Sequence, residues 1–397
     1  MLRIRPGAQA HSSTTGKEQI ELLHHTAHVQ PGTGRLIDLT LRRDRLLHNA
    51  AVLRSLTGTT VKHCAVVKAN AYGHGVARVV DALRQQVDAF GVATISEALE
   101  IAPLSGDKFI LVMTPLFAGI HLPSLHRAIL HDCHLTLCSV DALHYLLRGL
   151  PEDAPPVKVH LKIDTGMGRC GAWEATAVTL LKLLSQTDRV QLTGVYTHFA
   201  GAEEGHSTFM SEQEQRFRHF LIEHNLLHRD DVMIHAGNSE ATLLASSTHF
   251  NMVRCGLAFY GAVNGDLTRR FDLRPALKVQ APLVQIKHLP AGATCGYGRT
   301  FTAPDDRLIG IVPAGYAEGL RRCLSNKASL LVRNIPCPIL GRISMDLTII
   351  DLSRCPDAVE GEPVTLIDDN PESPCSAVTL AQLANTIPYE ILSGIRS

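Results

Sequence analysis

The sequence predicts an α/β protein in which an N-terminal (β/α)8 TIM-like barrel is followed by a C-terminal mainly-β domain. Three observations carry this. Eight short apolar runs, at 63–68, 89–94, 109–113, 134–138, 157–164, 190–198, 232–236 and 251–260, alternate with segments of helical period. Eight such units favour a closed parallel barrel over an open sheet. Lys68, Asp164 and His198 then fall at strand C-terminal ends, where barrel active sites form. Beyond Phe271 the texture changes to short apolar runs parted by Gly, Pro and Asn turns, the pattern of a β-rich unit.

Residues 1–33 are polar, rich in His, Thr, Gly and Gln, and lack sustained periodicity, so a flexible extension is expected there. The barrel is assigned to 34–272. It opens with Leu36-Ile37-Asp38-Leu39, and a helix follows with Leu46, Ala50 and Leu53 on one face. Helical spacing recurs at 76–87, through Val76, Val79, Val80 and Leu83, and at 175–186, through Ala177, Leu180, Leu181 and Leu184. The β domain is assigned to 273–397. Leu277, Val279, Ala281 and Leu283 alternate partly, and further strands are expected at 308–312, 329–332, 338–343 and 347–352.

The formal net charge is zero and no block of like charge occurs, which argues against nucleic acid or an anionic membrane as partner. The longest uncharged stretch, 109–125, is broken by Pro115, Gly119, His121 and Pro123 and is too short to span a bilayer. No secretory signal is visible. The ten cysteines form no Cys-x-x-Cys pair and read as reduced thiols of a cytoplasmic protein. No His-Glu-x-x-His occurs among the 21 histidines, so no metal is expected.

Chemistry concentrates at Lys68. It ends the run His-Cys-Ala-Val-Val-Lys68 and leads into Ala-Asn-Ala-Tyr72-Gly73-His74-Gly75. A lysine closing a buried strand is costly unless it is neutralised, paired or used covalently. A lysine, a tyrosine four residues on and a Gly-x-Gly turn point to an aldehyde cofactor held as an imine. Alone, Lys68 would read first as a strand-end lysine extending its amine to water, and it is the neighbouring motif and the rest of the sequence that reverse this.

Further motifs lie at strand ends or in loops. They are Lys162-Ile-Asp164-Thr-Gly-Met-Gly-Arg169-Cys-Gly, Tyr196-Thr-His198-Phe, His235-Ala-Gly-Asn238-Ser239, Arg254-Cys-Gly256-Leu257-Ala-Phe-Tyr260-Gly and Cys295-Gly-Tyr297-Gly-Arg299-Thr. With the Lys68 motif they resemble, in order and spacing, the alanine racemases. Gly315-Tyr316-Ala-Glu318-Gly319, Gly341-Arg342-Ile-Ser-Met345-Asp346 and Pro388-Tyr389-Glu390 extend the resemblance to roughly residues 35–395. Glu318 stands where that family usually has aspartate, Gly237 where alanine is frequent and Ser344 where cysteine is common, so substrate-access geometry near Glu318 is open.

The resemblance implies an isomerase that uses pyridoxal 5'-phosphate to interconvert L-alanine and D-alanine, supplying D-alanine for peptidoglycan. It implies a head-to-tail homodimer with shared active sites and an amino-acid substrate. Lys68 would carry the cofactor and act as one base, with Tyr297 of the second subunit as the other. Tyr72, Ser239, the backbone of Gly256 and Leu257, and Tyr389 would hold the phosphate. Arg254 would face the pyridine nitrogen, and His198 would lie beside the ring. Arg169 would bind the substrate carboxylate with the backbone N–H of Met345 across the interface, and Lys162 is a position that relatives often carbamylate.

Each residue also has a plain structural alternative on its own: Ser239 a helix N-cap, Arg254 a salt-bridge arginine, Tyr297 a turn aromatic, Lys162 a strand lysine. Competing functions are a racemase of another amino acid, a non-catalytic cofactor carrier and a metal-dependent barrel hydrolase. The carrier reading conflicts with the Tyr297 motif and the second domain.

Overall fold

In the computed structural model, which describes residues 36–201 and 208–396, the first strand β1 (Asp38–Leu41) precedes eight parallel strands that close into a barrel. The extension expected over 1–33 lies outside the described residues. The barrel strands are β2 (Lys62–Val66), β3 (Ala89–Val92), β4 (Phe109–Pro115), β5 (Cys133–Leu137), β6 (Val157–Lys162), β7 (Val190–Tyr196), β8 (Met233–His235) and β9 (Met252–Cys255). β9 returns to β2 in register, from Lys62 opposite Met252 to Ala65 opposite Cys255, and so removes both sheet edges. Helices cover the outside. Helix Arg43–Thr57 buries Leu46, Ala50 and Leu53, and helix Val76–Leu83 buries Val76, Val79, Val80 and Leu83.

Several expected strands end early, 89–94 at Val92, 157–164 at Lys162 and 190–198 at Tyr196, and two further cases shape the site. The run 63–68 is strand only to Val66, and 251–260 divides into β9 and a helix at Leu257–Tyr260 with Gly256 between them. A short, fully apolar run carries no period that separates a buried strand from a buried helix. Both divisions place a polar motif at the barrel mouth.

β1 does not join the barrel. It pairs antiparallel with β10 (Leu277–Pro282), Asp38 opposite Gln280 and Leu41 opposite Leu277, so the first described strand belongs to a sheet of the second unit. Ion pairs reinforce the junction, since Arg42 and Arg45 both reach Asp369.

The second unit continues with β11 (Gln285–Leu289), β12 (Thr294–Cys295), β13 (Phe301–Thr302), β14 (Arg307–Val312), β15 (Ser329–Val332), β16 (Ile335–Pro338), β17 (Thr348–Asp351) and β18 (Pro363–Ile367). One sheet runs β1-β10-β18-β15-β16, a second runs β11-β14-β17, and β12-β13 is a separate hairpin. The strand expected at 338–343 falls earlier, at β16. Arg333 and Asn334 both have positive φ, the geometry of a tight two-residue hairpin, and so bring Ile335 opposite Val332. Beyond Pro338 only an isolated bridge, Ile339 to Ile350, remains.

The C-terminal helix Pro388–Ser393 returns to the barrel mouth. Gly73, at φ +78°, lies against it so closely that a Cβ would stand 2.2 Å from the Leu392 carbonyl oxygen. Among the described residues no helix is long and apolar enough to cross a membrane.

Candidate active site

The barrel interior is unusually polar. Alternation along each strand turns His134 and Thr136, His160 and Lys162, Tyr196, His235 and Arg254 toward the barrel axis, and all of them are buried. Aliphatic layers are the usual filling of such barrels. Here a polar column leads to a cavity of about 590 Å³ at the strand C-terminal ends. Lys68, Tyr72, Lys162 and Arg169 line it, together with His198, Ser239, Arg254, Gly256 and Tyr389. A roomier cleft of about 660 Å³ lies beside Arg42 and Asp369. Its arginines 42, 45 and 274 are already paired with Asp369 and Asp272, and among the described residues no lysine, histidine or cysteine lines it.

Lys68 does not end a strand; it opens a turn. Ala69, Asn70, Ala71 and Tyr72 all adopt φ near +53°, one turn of left-handed helix. Each non-glycine residue in that conformation costs roughly 1–2 kcal/mol, so the surroundings must hold it. The Glu97 carboxylate accepts from Ala69 N–H at 2.8 Å, and Asn70 Oδ1 accepts from Val76 N–H at 2.8 Å. The turn carries both Lys68 and Tyr72 into the cavity.

Burial holds the Lys68 amine below the ordinary lysine range, and the like charges of Arg169 and Lys162 add to this while Glu97 opposes it. A neighbouring cation disfavours the protonated amine, so removing one restores basicity. Arg169→Gln is therefore expected to raise the Lys68 titration midpoint, read by NMR of isotope-labelled lysine in cofactor-free protein. An unmoved midpoint contradicts this electrostatic account.

Ser239 is not the N-cap. Asn238 fills that role, its side chain accepting from Ala241 N–H at 3.0 Å. Ser239 Oγ instead accepts from the backbone N–H groups of Gly256 at 3.0 Å and Ala258 at 3.1 Å. Leu257 is buried and opens the adjoining helix. A Cβ on Gly256 would stand 2.6 Å from the Tyr72 hydroxyl, so glycine keeps a pocket of hydroxyls and amides open there. The Tyr72 ring packs on Tyr260 and on Tyr389, at 5.2 and 5.7 Å between centroids.

Arg254 is not a surface salt bridge. Its guanidinium is buried and donates to His235 Nδ1 at 2.8 Å and to the carbonyls of Thr197 at 2.8 Å and Ala236 at 3.1 Å, with His198 Nδ1 at 3.4 Å. Burial, and then the Arg254 charge, hold the His198 imidazole well below its usual range. Lys162 is also buried. It donates to Cys170 Sγ at 2.9 Å and stands 5.4 Å above the Tyr196 ring. Asp164 Oδ1 accepts from Gly166 and Gly168 N–H, which shapes the loop that presents Arg169. Glu318 is a loop brace, its Oε2 accepting from Gly315 N–H at 2.7 Å.

Tyr297 and Met345 lie elsewhere in the same chain. Both are exposed, by 71% and 54%, on loops of the β domain that do not line the cavity. Three neighbours of the site were not singled out from sequence. Glu97 carried a legible signal, the Thr94-x-x-Glu97 capping box, but that pattern reads as a helix start alone. Tyr196 and Cys170 sat inside quoted motifs without a role.

Known proteins converge on this architecture. Residues 41–264 match the alanine racemase N-terminal domain and residues 276–397 the alanine racemase C-terminal domain. The alanine racemase of Streptococcus pyogenes serotype M6 is 38% identical over 347 residues, 87% of this chain and 92% of that protein. The alanine racemase of Desulfosudis oleivorans is 34% identical over 89% of this chain and 92% of its own length. The crystal structure of alanine racemase from D-cycloserine-producing Streptomyces lavendulae superposes with a TM-score of 0.86 at 31% identity, covering 92% of this chain and 96% of that one. The biosynthetic alanine racemase of Pseudomonas aeruginosa gives 0.81 at 30% identity, covering 91% and 98%. Sequence, fold and cavity therefore agree that this chain belongs to the alanine racemase family and is an amino-acid racemase.

Proposed function

We propose that this chain interconverts L-alanine and D-alanine with pyridoxal phosphate, by a two-base mechanism shared between two copies, and supplies D-alanine for peptidoglycan in the cytoplasm. The observation that carries the cofactor reading is one cavity holding an amine of lowered basicity, a buried arginine and a pocket of hydroxyls and amides. That donor set fits the group. Ser239, Tyr72, Tyr389 and the backbone at Gly256 and Leu257 would hold the phosphate, where fixed N–H and O–H donors suit an anion. Lys68 would carry the aldehyde carbon, Arg254 would face the pyridine nitrogen and His198 would lie beside the ring. When bound, the group withdraws electrons from the Cα–H bond of the amino acid and makes that proton removable.

The remaining work falls to the protein. Arg169 fixes the substrate carboxylate, with the backbone N–H of Met345 from the second copy. Lys68 Nζ takes or returns the proton on one face of Cα, and Tyr297 Oη of the second copy serves the other; by family analogy Lys68 acts on the D-enantiomer and Tyr297 on the L-enantiomer. Arg254 donates without surrendering its proton, so a pyridine nitrogen facing it would stay unprotonated, which would limit transamination. Tyr297, Tyr316 and Met345 are large exposed side chains on neighbouring loops, a patch expected to be covered by a partner.

Substrate choice is tested by racemisation rates for alanine, serine, lysine and arginine. The Tyr389 phenol narrows the cavity, so alanine is expected to show the largest kcat/KM; a larger value for lysine would reject alanine as substrate. Lys162 is proposed to carry a carbamate, which would turn a cation beside Arg169 into an anion. Labelled bicarbonate is expected to give a carbamate carbon resonance that vanishes in Lys162→Met, and its absence from the native chain would contradict this.

A further inference from the structure

Below Arg254 the barrel axis is filled by three imidazoles in line. Arg254 Nη1 lies 2.8 Å from His235 Nδ1, His235 Nε2 lies 2.7 Å from His160 Nδ1, and His160 Nε2 lies 3.0 Å from His134 Nδ1. His235 and His160 are fully buried and His134 is 4% exposed. Tyr196 stacks on His235 at 4.6 Å, and Phe109 stacks on His134 at 4.3 Å. The column therefore runs from the cofactor end of the barrel toward its floor. There His134 Nε2 lies 4.0 Å from Asp132, which also pairs with Lys158.

The direction of this chain is settled by its first member. A guanidinium has donors and no acceptor, so His235 Nδ1 must accept and its proton must sit on Nε2. His235 Nε2–H then donates to His160 Nδ1, which places the His160 proton on Nε2. His160 Nε2–H donates in turn to His134 Nδ1. Every imidazole is thus neutral and in the Nε2–H form, and the reverse arrangement would leave Arg254 facing a donor. Burial and the Arg254 charge keep His235 and His160 well below the usual imidazole range, and burial holds His134 at about 4. Thr193 Oγ1 lies 3.3 Å from His134 Nδ1 and donates to the Val159 carbonyl oxygen at 3.4 Å. Among the described residues the guanidinium has no carboxylate partner, so neutral acceptors alone hold it.

We propose that His134 is a positioning residue for Arg254, the terminal acceptor that locks the tautomers of His160 and His235 and through them holds the guanidinium in place. The tautomer lock stands on the geometry above; its consequence for the cofactor rests on the reading of Arg254 given under Proposed function. Without the terminal acceptor, His160 Nε2–H is buried with no partner, and that cost opposes the tautomers that Arg254 favours in His235 and His160.

The test uses the full chain with ring-nitrogen-labelled histidine, as wild type, His134→Leu and His134→Asn. Leucine fills the site and cannot accept; asparagine presents Oδ1 close to the place of Nδ1. Wild type is expected to show His235 and His160 in the Nε2–H form by NMR without cofactor. His134→Leu is expected to lose that uniform pattern and to bind pyridoxal phosphate about tenfold more weakly, with His134→Asn restoring both. Unchanged ring-nitrogen signals in a folded His134→Leu overturn the lock. Altered signals with unchanged pyridoxal phosphate affinity overturn the positioning role. If the wild type binds no pyridoxal phosphate, the cofactor reading fails instead, and the signals still decide the lock.

Discussion

Lys68→Ala is expected to abolish interconversion in both directions, lowering kcat by at least ~10⁴-fold, because one amine is assigned both the cofactor linkage and a proton-transfer role. The structure gives that amine its properties. Burial and two neighbouring cations lower its basicity, so a neutral form is reached at lower pH than for a lysine in water. The left-handed turn from Ala69 to Tyr72 fixes where it points, and Glu97 and Gly73 hold the turn. The other cavity lysine is no ready substitute, since Lys162 Nζ is engaged with Cys170. Rates from both enantiomers, followed by the change in optical activity, check this. Retention of more than a few per cent in either direction would contradict the assignment.

Tyr297→Phe is expected to cost about 10²–10⁴-fold, with the primary loss in proton removal from L-alanine. The phenol stands 71% exposed on the loop between β12 and β13, outside the cavity of its own chain, so the catalytic part proposed for it would require a second copy. This gives a sharper experiment than either variant alone. Lys68→Ala and Tyr297→Phe are each expected to be inactive as homodimers. After subunit exchange, a mixed dimer holds one site with both native groups and one with neither. Random mixing should then recover about a quarter of native activity. No recovery, with exchange demonstrated, would mean that each site draws both groups from one chain, and would remove the shared-site reading.

Much of this was legible in the sequence. The eight barrel strands fall where apolar runs alternate with helical spacing, and the motif lysine, arginines and serine meet at one barrel mouth. What escaped has physical causes. Four consecutive non-glycine residues at positive φ violate local preference, so Lys68 read as the end of a strand rather than the start of a turn. β1 joins a sheet whose other strands begin more than two hundred residues later, a pairing no local pattern reveals. His134, His160 and His235 each sat in a recognised strand. Their alignment depends on the register between strands, which comes from barrel closure and not from spacing along the chain. Ser239 carried a capping signal that belongs to Asn238, one residue earlier.

The central claim is that Lys68 is the amine that carries the cofactor and serves one face of the substrate. Borohydride reduction of the cofactor-loaded protein, followed by peptide mapping, tests it most directly. The expected result is loss of the visible cofactor band and a single pyridoxyl adduct on Lys68. A principal adduct on Lys162 or on any other lysine would contradict it.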